Sequence, residues 1–177
     1  MYLTENDINV NISEVQEESA CRADIVYDLE GYSKESCKDI LFIEIETDRS
    51  QLKILLYCSC ISDYEHCSIL HNNYLTIAKF NTVYRIDVYT GKIEYTHFFG
   101  MGGAFQLYLL EDGYLIHGEM EVVKLDFSLN KLWDFWGEDI FVSLKDEEWC
   151  KVYSDRVQLI DFLGNHYTVS LETGREI

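Results

Sequence analysis

YRIDVYTGKIEY, residues 84–95, decides how the chain is read. An alternating run ends in Asp87, two residues pass, Thr90-Gly91-Lys92 turns the chain, and a second alternating run follows. Glycine enters the left-handed backbone of a tight hairpin turn without the clash that a Cβ causes. The stretch reads as a β-hairpin, and it has echoes. VVKLDFSLNKLWDFWG begins at Val122; aligning Asp126 with Asp87 puts Asn130 on Gly91 and Lys131 on Lys92. Asn also tolerates the left-handed region. HYTVSLETGREI places Ser170 at the Asp position, Gly174 at the turn and Arg175 at the Lys. Turn positions 91, 130 and 174 are 39 and 44 residues apart. The preceding strands match too: NNYLTIAKFNTVYRID lies beside EDGYLIHGEMEVVKLD, with Tyr74-Leu75 about one period ahead of Tyr114-Leu115.

A period of roughly 40 residues with several short strands per unit is the pattern of propeller blades. IDVYTGKI and LDFSLNKLW resemble blades of the pyrroloquinoline-quinone-type β-propellers, where D-x-x-T-G-x closes a hairpin and a Trp often follows. The resemblance covers about residues 72–177. It departs at Ser170, which replaces Asp, and no Trp follows Arg175. It implies a fold element only: no catalytic residue carries over, and no quinone is implied. Closed propellers use roughly 4 to 8 blades. A chain of 177 residues holds at most four such units with nothing spare. The expected fold is therefore all-β, with antiparallel propeller-like blades in an open or incomplete propeller or sandwich arrangement. It forms a single domain over 1–177, in which 1–71 supply divergent strands and 72–177 the blade-like repeats.

In the first part, DINVNISEV alternates, which puts Ile8, Val10, Ile12 and Val15 nearly on one face. ADIVYDLEGY reads as a strand with a Gly turn, and KDILFIEIETDRSQLKILLYCSC as two strands joined by ETDRSQ. GYSKESCKDI holds one helical turn with Ser33 as its N-cap. Towards the end, IFVSL, WCKVY, RVQLID and HYTV read as strands separated by the turns KDEE, SD and LGN.

Composition narrows the function. The chain carries 32 acidic and 14 basic residues, a net charge of −18 spread along its length. Such a surface repels phosphate backbones and anionic headgroups, which argues against nucleic-acid and membrane partners. It attracts basic proteins and speeds their encounter. No apolar run approaches the roughly 18–20 residues of a membrane-spanning helix, and MYLTENDINVNISEVQEESA lacks a basic and apolar leader. The expected location is the cytoplasm, where Cys21, Cys37, Cys58, Cys60, Cys67 and Cys150 remain reduced thiols.

Three constellations could carry chemistry. CSCISDYEHCSILH offers Cys58, Cys60, His66, Cys67 and His71 as zinc ligands, but the one-residue gap between Cys58 and Cys60 is unusual for zinc, and buried thiols explain the pattern as well. GMGG, residues 100–103, lacks the Lys and hydroxyl residue of a phosphate loop and reads as a flexible turn. HGEMEVVKLD puts His117, Glu119 and Glu121 on one face of a strand, suited to acid–base work or a divalent metal, and equally to a polar strand face. None of these supports a catalytic residue, a metal site or a cofactor.

The expected partner-binding segment is LWDFWGEDIFVSLKDEEW. It brings Trp133, Trp136 and Trp149 together with Asp134, Glu138, Asp139, Asp146, Glu147 and Glu148. Tryptophans anchor interfaces, and a carboxylate rim selects a basic partner. The competing reading places Trp133 and Phe135 in a hairpin core with Trp136 on the opposite face. The expectation is a non-catalytic acidic binding protein for a basic protein partner. In composition it resembles the immunity proteins that neutralise cationic nuclease toxins; the alternatives are a propeller-like interaction or ligand-binding module, or a metal-dependent enzyme.

Overall fold

Alternation and continuous apolar runs divide the strands into two kinds. β1 (Tyr2–Glu5), β2 (Ile8–Val15), β3 (Ile25–Tyr27), β4 (Asp39–Glu46) and β5 (Gln51–Cys58) make the first sheet, ordered β1-β2-β4-β5-β3. The computed structural model describes residues 1–16, 22–35, 38–59, 65–98, 102–142 and 148–177. β6 (Ser68–His71), β7 (Tyr74–Lys79), β8 (Thr82–Asp87) and β9 (Ile93–His97) form the second sheet. β10 (Ala104–Leu110), β11 (Gly113–Gly118), β12 (Glu121–Asp126) and β13 (Lys131–Trp136) form the third. β14 (Cys150–Val152), β15 (Arg156–Ile160) and β16 (His166–Ser170) form the fourth, with Glu176 bridged to Val169 at its edge.

The second and third sheets are simple antiparallel meanders, each strand pairing with the next in the chain. The expected all-β architecture of open, blade-like sheets is what the chain forms, and no strand pairing joins the first sheet to the last among the described residues. Among the described residues no helix is long and apolar enough to cross a membrane.

The sheets stack face to face because their central strands are apolar on both sides. In β4 and β5, Leu41, Ile43, Ile45, Ile54 and Leu56 face the second sheet. Their neighbours Ile40, Phe42, Leu55 and Tyr57 face outward under Val15, Ala23 and Tyr32. The second sheet gives Leu75, Ile77, Tyr84 and Ile86 to that first core, and Ala78 and Val83 to a core shared with the third. The third sheet gives Tyr114, Ile116, Val123 and Leu125 to one side, and Leu115 and Val122 to a third core with Val157, Leu159, Tyr167 and Val169. Burying one such side chain fully contributes roughly 1.5–3 kcal/mol. The last sheet ends the stack with a polar outer face: Arg156 lies over the Tyr153 ring at 4.5 Å, and the Tyr153 hydroxyl donates to Gln158 at 3.1 Å.

Several local expectations change. Val15 does not share the face of Ile8, Val10 and Ile12; an odd number of residues from Ile12 to Val15 turns it outward. Ser33 is not an N-cap: the 3-10 turn Tyr32–Lys34 starts after Gly31 at φ 80°, and Ser33 Oγ donates back to Asp28 at 2.5 Å. The strand read in ADIVYDLEGY is β3, which pairs parallel to β5 at the edge of the first sheet. Residues 140–142, the described part of IFVSL, form no strand. The second sheet starts with β6 at Ser68, a little before the repeat as read from Asn72.

The hairpin turns are built by their leading polar residue. Asp87 Oδ1 accepts from the amides of Tyr89 and Thr90 at 3.0 and 2.8 Å, and Gly91 is left-handed at φ 69°. The Ser170 turn reproduces its backbone pairing: Gly174 N donates to the Ser170 carbonyl and Ser170 N to that of Arg175, both at 2.9 Å. The middle turn differs from the alignment. Its left-handed residue is Leu129, at φ 63°, and Asn130 donates from its backbone and side chain to Asp126 at 2.8 and 3.0 Å. A register shift between Lys124 and Leu125 accompanies this shorter turn.

Candidate partner-binding surface

Residues 133–149 leave the edge of the third sheet and divide. β13 alternates, so Trp133 and Phe135 pack on the core between the third and fourth sheets, while Leu132 and Trp136 are 51% and 43% exposed. Trp133 lies against Gly174 and donates from Nε1 to the Leu171 carbonyl at 3.1 Å. Asp134 pairs with Lys131 at 3.1 Å and accepts from Trp136 Nε1 at 3.4 Å. Trp133 is thus placed as a packing residue, and Asp134 with Trp136 as an exposed pair on the edge strand.

The chain then crosses one end of both sheets. Gly137 N donates to the Met120 carbonyl at 3.1 Å, and Glu138 N to the Tyr167 hydroxyl at 3.1 Å. Asp139 Oδ1 accepts from the Ile140 amide at 2.8 Å. Asp146 and Glu147 lie outside the described residues. Glu148 and Trp149 are exposed, and the Trp149 carbonyl accepts from Ile160 N at 2.9 Å. Glu138, Asp139, Glu148 and Trp149 are therefore carried by segments bonded to the same end of the fourth sheet. None of these three carboxylates is in an ion pair among the described residues.

The turn they meet is the one read from LGN, but its likeness to the Asp126 turn is visible only in the structure. Asp161 to Asn165, DFLGN, repeats the bonding of Asp126 to Asn130, DFSLN. In each, the Asp Oδ1 accepts from the Asn backbone amide at 2.8 Å and Oδ2 from the Asn side chain at 3.0 Å. Tyr167 adds a third donor to Asp161 at 2.7 Å. Burial raises the Asp161 carboxyl, but Tyr167 and Asn165 outweigh it and hold the group below its ordinary value. The two turns differ in what surrounds them. Phe127 packs edge-on to Tyr114 at 5.4 Å and Leu129 is buried, whereas Phe162 and Leu163 are 45% and 67% exposed. Phe162 N donates to the Ile140 carbonyl at 2.8 Å, which ties this exposed pair to the segment carrying Glu138 and Asp139.

At the opposite end of the same two sheets lies a cleft of about 740 Å³. Glu111, Asp112, Asp155 and Glu172 line it with Tyr153 and Ile177. Lys124, almost fully buried, reaches Asp112 at 2.8 Å and the Leu171 carbonyl at 3.0 Å, so its charge is already matched within the fold.

The other candidate chemistries come apart. His117 lies one residue before the end of β11, Glu121 begins β12, and Glu119 sits in the turn between them, so the three do not share one strand. His117 is enclosed by the Phe105 and Phe141 rings at 5.6 and 6.1 Å, and burial lowers its pKa to about 4. Cys58 belongs to the core before the second sheet and Cys67 to the core behind it, so they do not converge. Cys58, Cys67 and Cys150 are buried thiols; Cys21, Cys37 and Cys60 lie outside the described residues. Burial pushes the Cys58 and Cys150 thiols up to about 12. Among the described residues no group of three or more His, Cys, Asp or Glu is placed to hold a metal ion. GMGG is described only from Gly102, which precedes β10.

No family model and no curated protein matches the chain. The crystal structure of Kluyvelomyces marxianus Hsv2 aligns with 81% of this chain at 12% identity and a TM-score of 0.46. The chain corresponds to 48% of that protein, about half its length.

Proposed function

We propose that the chain is a non-catalytic binding protein for a basic protein partner, acting in the cytoplasm. In its sharpest form it is an immunity protein that neutralises a cationic toxin. The observation that carries this reading is the gathering of Glu138, Asp139 and Glu148 with the exposed Trp149 at one end of the fourth sheet, where none of the three carboxylates is in an ion pair among the described residues. Unneutralised charge at a surface steers an opposite charge into encounter, and the net charge of −18 extends that pull over the whole molecule. The four sheets, read as propeller-type blades, serve as the rigid platform.

The test is capture from a lysate of the source cells at low and high salt, with each captured protein identified, beside the Glu138→Gln, Asp139→Asn, Glu148→Gln triple variant. A basic protein that salt releases and the triple variant fails to hold supports the reading. Equal capture by the variant and the native chain overturns it.

The 740 Å³ cleft favours a second reading, a module for a small cationic ligand between Glu111 and Glu172. A diamine that raises the unfolding midpoint of the native chain, and not of Glu172→Gln, would support it.

A further inference from the structure

We infer that the partner docks through an apolar anchor flanked by basic residues, received by Trp149, Phe162 and Leu163 within a rim of Glu138, Asp139 and Glu148. This rests on the basic-partner reading and adds what the partner must present. Trp149, Phe162 and Leu163 are 42%, 45% and 67% exposed, a large apolar area on one end of the stack. Exposed aromatics surrounded by a polar rim are the usual anatomy of a protein-binding hot spot.

The molecule contains its own control for this surface. The turns DFSLN and DFLGN share the same backbone bonds and the same Asp–Asn clasp. In the first, the apolar residues are absorbed by the chain: Phe127 meets Tyr114 and His71, and Leu129 is 6% exposed. In the second, Phe162 and Leu163 face solvent although the turn needs neither for its geometry. A polar residue at either place would keep the turn and lower the cost of wetting apolar surface. What remains for them is a surface outside the chain.

Charge selects the occupant. The apolar centre lies among carboxylates that make no ion pair among the described residues, on a chain of net charge −18. A second copy of this chain would set rim against rim, like charge on like charge. A cationic amphipathic segment satisfies both parts: its apolar side covers Trp149, Phe162 and Leu163, and its lysines or arginines meet Glu138, Asp139 and Glu148.

The full chain is titrated with two synthetic probes of equal length and charge: a lysine–leucine peptide with its leucines on one helical face, and an oligolysine whose other residues are serine. Binding is read by tryptophan fluorescence and by calorimetry. The expected result is at least about tenfold tighter binding of the amphipathic probe, with that advantage lost in the Phe162→Ser, Leu163→Ser double variant. Both residues are exposed, so an unchanged thermal midpoint establishes that the variant is folded.

Equal binding of both probes overturns the anchor while leaving the basic-partner reading in place. Binding of neither overturns both. An amphipathic advantage that survives the double variant places the anchor elsewhere and overturns this site. Sedimentation showing self-association that the double variant abolishes makes a second copy the occupant, and overturns the inference equally.

Discussion

The indole of Trp133 lies so close to Gly174 that a Cβ built there would stand 2.6 Å from its ring carbons. Gly174 is also left-handed, at φ 67°. One glycine therefore answers two demands: the turn's conformation and the neighbouring sheet's ring. Gly91 does the same, with a built Cβ 2.7 Å from Ile25 and Leu52 of the first sheet. The hairpin turns that mark the repeat are thus contact points between successive units, which is why glycine sits there rather than another turn former.

Gly174→Ala should destabilise the chain by roughly 2 kcal/mol, combining left-handed strain with overpacking. Trp133→Ala should cost about 3 kcal/mol through the cavity it leaves, and Trp133→Phe about 1 kcal/mol, mainly the bond to Leu171. Urea unfolding midpoints check the order. A tolerated Gly174→Ala would show that the ring moves aside without cost.

His117 makes stability depend on pH. Its folded-state pKa, about 4, lies below the ordinary value of 6.5, because burial penalises the imidazolium. The unfolded chain then binds the proton first. The stabilisation is complete above 6.5 and is lost as pH falls from there towards 4. By pH 5 the loss from this group is roughly 2 kcal/mol. Unfolding free energies of the native chain and His117→Leu, compared near pH 7 and near pH 5, should converge or cross in the variant's favour on acidification. A constant difference would refute the linkage.

The strand-rich, repeating character of the chain was legible because hydrophobic alternation and Gly turns are local. Turn phase was less so. Aligning Asn130 with Gly91 was reasonable by residue type, yet Asn130 is used for its side-chain amide, and the left-handed backbone falls on Leu129, which packing keeps buried. DFSLN and DFLGN were both visible, but they close different hairpins, β12–β13 and β15–β16, so their likeness reports turn chemistry rather than repeat phase. The expected partner-binding segment was half legible. Period two predicts Trp133 and Phe135 on one face and Trp136 on the other. Which face is solvated depends on the next sheet, and Phe162 and Leu163 reach the surface through a turn far along the chain.

Cys58 and Cys150 should stay inert in the native protein. Burial pushes both thiols up to about 12, leaving almost no thiolate at pH 8. Alkylation with iodoacetamide followed by peptide mapping should label both only in denaturant. Labelling of either in the folded chain would show that its core opens far more readily than the packing implies.

Lys79 and Asp39 predict an asymmetry at the junction of the first two sheets. Lys79 Nζ meets Asp39 Oδ2 at 2.6 Å, with side-chain exposures of 1% and 12%. Removing Asp39 takes this carboxylate from the buried ammonium, and loss of one partner of a buried pair costs up to roughly 3–5 kcal/mol. Removing the lysine is different: Lys79→Met keeps most of the aliphatic volume and leaves a carboxylate nearer solvent, so its cost should stay within about 1–2 kcal/mol. Asp39→Ala should therefore unfold at clearly lower urea than Lys79→Met. The double variant should lie closer to Lys79→Met than to Asp39→Ala, because the buried charge is gone. Equal losses from the two single variants would mean that attraction between the charges, rather than the penalty of burying the ammonium, governs this junction.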